Sequence, residues 1–197
     1  MKFRSGDIDI DFSDRQGILN RIDHVPAAMR AVNPIRKHST GVYVTKAPYD
    51  PVLDMCTVDY AMAEDRGYFK LDMLNVFVYS YIKNEAHLLE MMKEPDWTVL
   101  KKREVVLKLI HLANHANLIQ RMPEPIDSIP RLAMFLALIR PAKKHLIGKK
   151  WSEIARSVWD KDGDGDYAFR HSHSVAYAQL VVVHMNLLAS GVKAYYD

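Results

Sequence analysis

The sequence predicts an α+β fold, with a small mixed β-sheet in the first third and a helical lobe in the remainder. Three observations carry this. Residues 7–12 alternate acidic and apolar side chains at period two, as a half-buried strand does. Two further runs, 35–45 and 67–74, combine β-branched, aromatic and apolar residues and are bounded by turn signals. From residue 75 onward apolar residues recur at helical spacing between prolines. The expected organisation is a sheet domain over 1–92 and a helical domain over 93–197.

Composition bounds the rest. The 197 residues are 49% hydrophobic, enough for one well-buried core and a second lobe. With 27 Lys and Arg against 24 Asp and Glu the formal net charge is +3, which permits a nucleic-acid partner without requiring one. Cys56 is the single cysteine, so an internal disulfide is excluded and a reducing cytoplasmic location is expected. No apolar run approaches the ~18–20 residues of a membrane span, so no membrane partner is expected. Met1 to Ser5 run straight into the acidic stretch and leave no room for a signal peptide.

Taken in order, Asp7, Asp9 and Asp11 lie on one face of the first strand, and Ile8, Ile10 and Phe12 on the other. Ser13-Asp14 can cap a helix over 15–31, which Pro26 threatens to break. Asn33-Pro34 marks a turn, and a basic lead-in then enters the strand over 35–45. Residues 46–57 read as loop. The strand over 67–74 carries Asp72 facing opposite to Leu71 and Met73. Helices are expected over 76–92, 97–120 and 128–139, with Arg140-Pro141 ending the last of these. A short helix over 151–159, a loop over 160–166 and a final helix over 172–190, ended by Gly191, complete the chain.

Like charges along one strand face repel, and a divalent cation is the natural counterweight, because Mg²⁺ prefers hard oxygen ligands. The plainer reading is an acidic edge strand kept soluble by its charge. Asp72 in an apolar strand also needs a partner, a metal or a hydrogen-bond network. Asp160 to Asp166 match the first half of an EF-hand loop, but His171 stands where the bidentate Glu would be; a solvated acidic turn is the simpler reading. His111 and His115 have an i, i+4 spacing that can bind zinc on a helix, but no third ligand accompanies them, which favours polar or core histidines. His171 and His173, beside Arg170, flank a helix start where anions bind readily. Lys143, Lys144, His145, Lys149 and Lys150 form a basic cluster able to follow a nucleic-acid backbone or simply to lie in solvent.

Taken together, these segments resemble the bacterial C-family replicative DNA polymerases, the DNA polymerase III α subunits. Asp7-Ile8-Asp9-Ile10-Asp11-Phe12 resembles the family's palm motif Pro-Asp-Phe-Asp-hydrophobic-Asp-Phe. Lys37 to Val44 is similar to the family's Arg-His…Ser…His-Ala-Ala-Gly-Val-Val-Ile strand, with residues missing. Gly67-Tyr68-Phe69-Lys70-Leu71-Asp72-Met73-Leu74 resembles Gly-Leu-Leu-Lys-hydrophobic-Asp-Phe-Leu. Ala137-Leu138-Ile139-Arg140-Pro141 is similar to Ala-Leu-aromatic-Arg-Pro, and Ser172-His173-Ser174-Val175-Ala176-Tyr177-Ala178 matches the family's Ser-His-Ser-Ala-Ala-Tyr-Ala almost residue for residue.

The resemblance implies a reduced, nucleotidyltransferase-like palm with remnants of thumb and fingers. It implies two-metal nucleotidyl transfer in DNA replication, with Asp9, Asp11 and Asp72 as catalytic and metal-binding carboxylates and Mg²⁺ or Mn²⁺ as cofactor. Arg36, Lys37, His38, Lys70, Arg140, Arg170, His171 and His173 become candidates for phosphate contacts. DNA and deoxynucleoside triphosphates would be the partners, with a second polymerase chain or another replisome protein completing the machinery. Two departures support the alternative of a non-catalytic replisome-associated protein: a decoy, an inhibitor or an assembly factor. The family's Gly-Ser motif, which helps hold the triphosphate, is not in these residues, and the fingers segment between Pro141 and Asp166 is cut to about two dozen residues.

Overall fold

The computed structural model describes residues 8–30, 35–160 and 171–193. The fold is mixed α+β, with a four-stranded mixed sheet, a two-stranded sheet and a set of helices. It divides into two units, one ending at Ser80 and the other beginning at Tyr81.

The first unit is built on strands β1 (Ile8–Phe12), β2 (Val25–Arg30), β3 (Ile35–Tyr43) and β6 (Leu71–Asn75), with the hairpin β4 (Tyr49–Asp50) and β5 (Met55–Cys56) between them. The sheet order is β1-β6-β3-β2, with β1 parallel to β6 and the other pairs antiparallel. One face of the sheet packs Phe12, Val42, Leu71 and Met73 against Leu19 and Ile22. A second cluster joins Ala27, Ala28, Tyr43, Met55, Cys56 and Ala63. Helix α1 (Arg15–Leu19) starts at Asp14, whose side chain accepts from the Gly17 N–H at 2.9 Å. Helix α2 (Tyr60–Asp65) starts at buried Asp59, which accepts from the N–H groups of Ala61 and Met62.

The helix expected over 15–31 is therefore five residues long, and its second half is strand β2. Proline lacks the N–H that a helix interior needs. Pro26 sits instead on the edge strand, at a register shift where the ladder loses little. The loop expected over 46–57 folds into the hairpin, because Asp50 accepts from the N–H groups of Val52 and Leu53 and closes a tight turn.

The second unit contains helices α3 (Glu85–Met91), α4 (Arg103–Val106), α5 (Ala116–Arg121), α6 (Ile129–Leu138), α7 (Trp151–Ser157) and α8 (His171–Ala189). Helix α3 belongs here, ahead of the boundary expected at 92. Asn186 on α8 donates to the Met91 carbonyl at 2.9 Å and the Lys93 carbonyl at 2.8 Å. The helix expected over 76–92 is a 3₁₀ turn at Phe77–Tyr81 followed by α3, because Asn84 caps a new start by accepting from the His87 N–H. Gly191, at φ +85°, ends α8 as its position in the sequence suggested. Among the described residues, no helix is long and apolar enough to cross a membrane.

The helix expected over 97–120 breaks into a 3₁₀ turn at Trp97–Lys101, α4, a second 3₁₀ turn at Ala113–His115, and α5. The break centres on His111, at φ +61°. The buried Ile110 N–H just before it is taken by the ring of fully buried His184, Nδ1 accepting at 3.1 Å. His184→Leu keeps an apolar side chain in α8 but strands that donor. The expected loss is about 1–3 kcal/mol in urea denaturation, the cost of a buried unmet donor. His184→Asn, which still offers an acceptor, is expected to lose less.

A candidate carboxylate site on the sheet

The three acids singled out by sequence come together through strand register. Parallel pairing sets Asp9 directly beside Asp72, and Asp11 follows two residues along β1 on the same face. On β3, Gly41 pairs with Asp72 from the other side. The apolar partners Ile10 and Met73 point to the opposite face. Phe12 and Met73 join the core and Ile10 is half-buried, whereas Ile8 at the start of the strand is 45% exposed.

The electrostatics of the three differ. Burial, and then the charge of Asp9, raise the Asp11 carboxyl above its ordinary value. Burial and the charge of Asp11 likewise raise the Tyr79 hydroxyl. Asp72 goes the other way. Burial acts to raise it, but hydrogen bonds from Lys70 and Thr40, with the charge of Lys70, outweigh burial and hold its carboxyl below the ordinary range. Lys70 Nζ donates to Asp72 Oδ2, and Thr40 Oγ1 donates to Asp72 Oδ1 at 2.8 Å. The Asp72 and Lys70 side chains are only 13% and 15% exposed, so this pair is largely withdrawn from solvent.

His38 closes the arrangement. Its Nδ1 accepts from the N–H groups of Thr40 (3.2 Å) and Gly41 (2.9 Å), which fixes the ring proton on Nε2. Burial and the Lys70 charge lower the imidazole pKa, while Asp72 opposes them. The 3.8 Å approach of Nδ1 to Asp72 Oδ1 is therefore not an ion pair of a charged histidine. Tyr60 lies across the group, its ring 5.7 Å from Lys70 Nζ and edge-on to His38. Gly41 has no side chain because none fits. A Cβ there would meet Lys70 Cδ at 2.8 Å, and Ala27 Cβ and His38 Nδ1 at 3.1 Å.

The other expected phosphate contacts are spread more widely. Arg36 and Lys37 are exposed on β3, with Lys37 paired to Asp54 at 2.7 Å. Arg140, His171 and His173 belong to the second unit. His171 opens α8 and stacks on Trp159 with ring centroids 4.1 Å apart. Arg170 and residues 161–166 of the EF-hand-like loop lie outside the described residues. His111 and His115 do not share a helix face; their rings meet Tyr177 and Phe135 respectively. In the basic cluster Lys143 is 1% exposed and donates to the Ser157 carbonyl at 2.9 Å, so it is not part of a solvated face.

Sequence reasoning assigned no role to Thr40, Gly41 or Arg15. Gly41 carried the available signal, since a glycine inside a strand marks close approach of a neighbour. Arg15 opens the helix expected over 15–31, and its Nε donates to the Met73 carbonyl at 2.8 Å and its Nη2 to the Thr40 carbonyl at 3.3 Å, tying α1 to β6 and β3.

The donor chemistry fits a hard cation at Asp9 and Asp11. Both offer only oxygen, and their repulsion is what a divalent ion relieves. Asp72 fits less well, because Lys70 and Thr40 already engage both its oxygens. Among the described residues, no group of three or more His, Cys, Asp or Glu side chains is arranged to hold a metal ion. No family model, no curated protein and no solved structure matches this chain.

Proposed function

We propose that the chain is a reduced nucleotidyl-transfer module of the DNA polymerase III α type, working on DNA and deoxynucleoside triphosphates with Mg²⁺ or Mn²⁺. The observation that carries the reading is the register of Asp9 beside Asp72 with Asp11 on the same face. Carboxylates from strands far apart in sequence converge at one patch of the sheet. In this reading Asp9 and Asp11 hold the cation, and Asp72 joins them when Lys70 turns to a substrate phosphate. The bound cation would neutralise charge on the transferring phosphoryl group. Thr40 orients Asp72, and His38, neutral with its proton on Nε2, offers a donor to a phosphate oxygen.

A second reading, a non-catalytic replisome-associated protein, is favoured by the Lys70–Asp72 pair itself. An internal ammonium that satisfies Asp72 keeps the palm-like sheet stable without metal.

The test is thermal unfolding with and without millimolar Mg²⁺ or Mn²⁺, on wild type and on Asp9→Asn/Asp11→Asn. A ligand at a hundred times its Kd adds about 2.7 kcal/mol to the folded state. Metal is expected to raise the wild-type midpoint by several degrees and to leave the double variant unmoved. Primer extension, alone and with candidate partner chains, then separates the two readings. A wild type indifferent to metal, with a double variant that is simply more stable, overturns the catalytic one.

A further inference from the structure

In the second unit, a cleft of about 420 Å³ opens between the 3₁₀ turn Trp97–Lys101 and residues 119–126, which leave α5 toward α6. We propose that this cleft is a binding site for a small apolar carboxylic acid. It shares no residue with the carboxylate face of the first unit, and its ligand is of another class than a nucleotide. Half-buried Trp97 and Met122, with exposed Pro123 and Pro125, give it apolar walls that a ligand can reach. Lys101 and Gln120, both exposed, supply its polar end.

The walls are set by bonds the chain makes to itself. Asp96 caps the 3₁₀ turn by accepting from the N–H and the hydroxyl of Thr98, and Trp97 Nε1 donates to Glu94. On the other side, Trp151 Nε1 donates to the carbonyls of Glu124 (3.2 Å) and Pro125 (3.0 Å), and Arg131 Nη1 also donates to the Pro125 carbonyl at 3.2 Å. Proline has no N–H to offer. This wall therefore has spent its acceptors at Glu124 and Pro125 and holds no backbone donors at Pro123 and Pro125, so what it presents is ring surface. Walls fixed in advance spare a ligand the cost of ordering them.

Charge decides the other end of the ligand. The neighbouring acids are engaged within the chain: Glu94 by the Trp97 ring, Asp96 by Thr98, and Glu124 by the Trp151 N–H at 2.8 Å. The Lys101 and Gln120 side chains make no hydrogen bond or ion pair among the described residues. An ammonium only donates, so the ligand's polar group must accept, and a carboxylate accepts with charge. The Gln120 amide can donate to its second oxygen. A neutral apolar molecule would leave the ammonium unused, and an inorganic anion would leave the walls bare. The volume falls within the ordinary range for small-molecule sites.

The experiment is calorimetric titration of the full chain with octanoate, with octanol and octylammonium in parallel. Octanoate is expected to bind, and about tenfold more weakly in Lys101→Met, as loss of a charge-assisted hydrogen bond implies. Octanol should bind more weakly than octanoate and ignore Lys101→Met, and octylammonium should bind more weakly still. Gln120→Trp fills the mouth of the cleft from an exposed position, and should abolish binding of octanoate and octanol alike while leaving the ligand-free thermal midpoint unchanged. Absence of octanoate binding overturns the proposal. So does octanoate binding that survives Gln120→Trp, because the ligand then sits elsewhere. If Gln120→Trp does not fold, Lys101→Met decides alone, and octanoate binding unmoved by it overturns the proposal. Octanol or octylammonium binding as tightly as octanoate overturns the carboxylate part.

Discussion

Lys70→Met is expected to destabilise the first unit by about 3–5 kcal/mol at neutral pH, the range for removing one partner of a buried ion pair. The Asp72 carboxylate would keep Thr40 but lose Lys70, its only close cation among the described residues, with 13% of its side chain reaching water. The pH dependence gives the effect a signature. In wild type the folded carboxyl titrates below its ordinary value. Its contribution is therefore present above the unfolded carboxylate pKa and is lost as pH falls through the folded one. In Lys70→Met, burial is no longer outweighed, and the folded pKa moves above the unfolded value. The penalty is then fully present at neutral pH and shrinks as Asp72 takes up a proton. Urea denaturation at pH 7.5 and pH 4.5 should show a larger gap at the first than at the second, where the variant's penalty has shrunk and the wild-type contribution persists. Lys70→Met/Asp72→Leu should recover most of the loss, because replacing both partners by apolar groups removes the stranded charge. An unchanged midpoint at pH 7.5 would mean that the ammonium contributes nothing to the fold. The same variant frees Asp72 for a cation, so added Mg²⁺ should stabilise it more than it stabilises wild type.

The carboxylate face was legible in the sequence, and the reason is local. Alternation at period two decides which side of a strand is wet without reference to the rest of the chain, so Asp9, Asp11 and Asp72 could be assigned to one kind of face. Their convergence was not local: it is the parallel pairing of β1 with β6, which no window of the sequence contains. Lys70 was nearly legible too, since it precedes Asp72 by two residues and so leans to the same side. Strand β2 was not. Val25-Pro26-Ala27-Ala28 has weak strand propensity, and it is extended because Ala27 and Ala28 fill a core cluster with Tyr43 and Cys56. The broken stretch 97–120 hid for a related reason. The group that satisfies its kink is His184, 74 residues away, and no window around Ile110 contains it. Where structure is fixed by near neighbours the pattern shows it, and where a distant side chain supplies the bond it does not.

Phe135→Ala is expected to destabilise the second unit by about 3–5 kcal/mol, at the costly end of core truncation. Every residue over 132–138 is buried, and Phe135 is completely so, with the His115 ring edge-on to it at 6.4 Å. The ring's removal opens a cavity walled on all sides, which neighbours cannot refill without leaving their own contacts. An alanine scan along α6 turns this into a test of architecture. A helix lying on the surface of a core loses stability with a period of 3.6 residues, because only one face is covered. Helix α6 is covered all round over 132–138, so Leu132, Phe135, Leu136 and Leu138 should each cost about 2 kcal/mol or more, with no periodicity. Leu89 on α3, 59% exposed, is the control, and its truncation should stay within about 0.5 kcal/mol. A periodic scan would place α6 at the surface and contradict its burial. A flat, costly scan makes it the central helix of the unit, the position its unbroken apolar run Leu132-Ala133-Met134-Phe135-Leu136-Ala137-Leu138 requires.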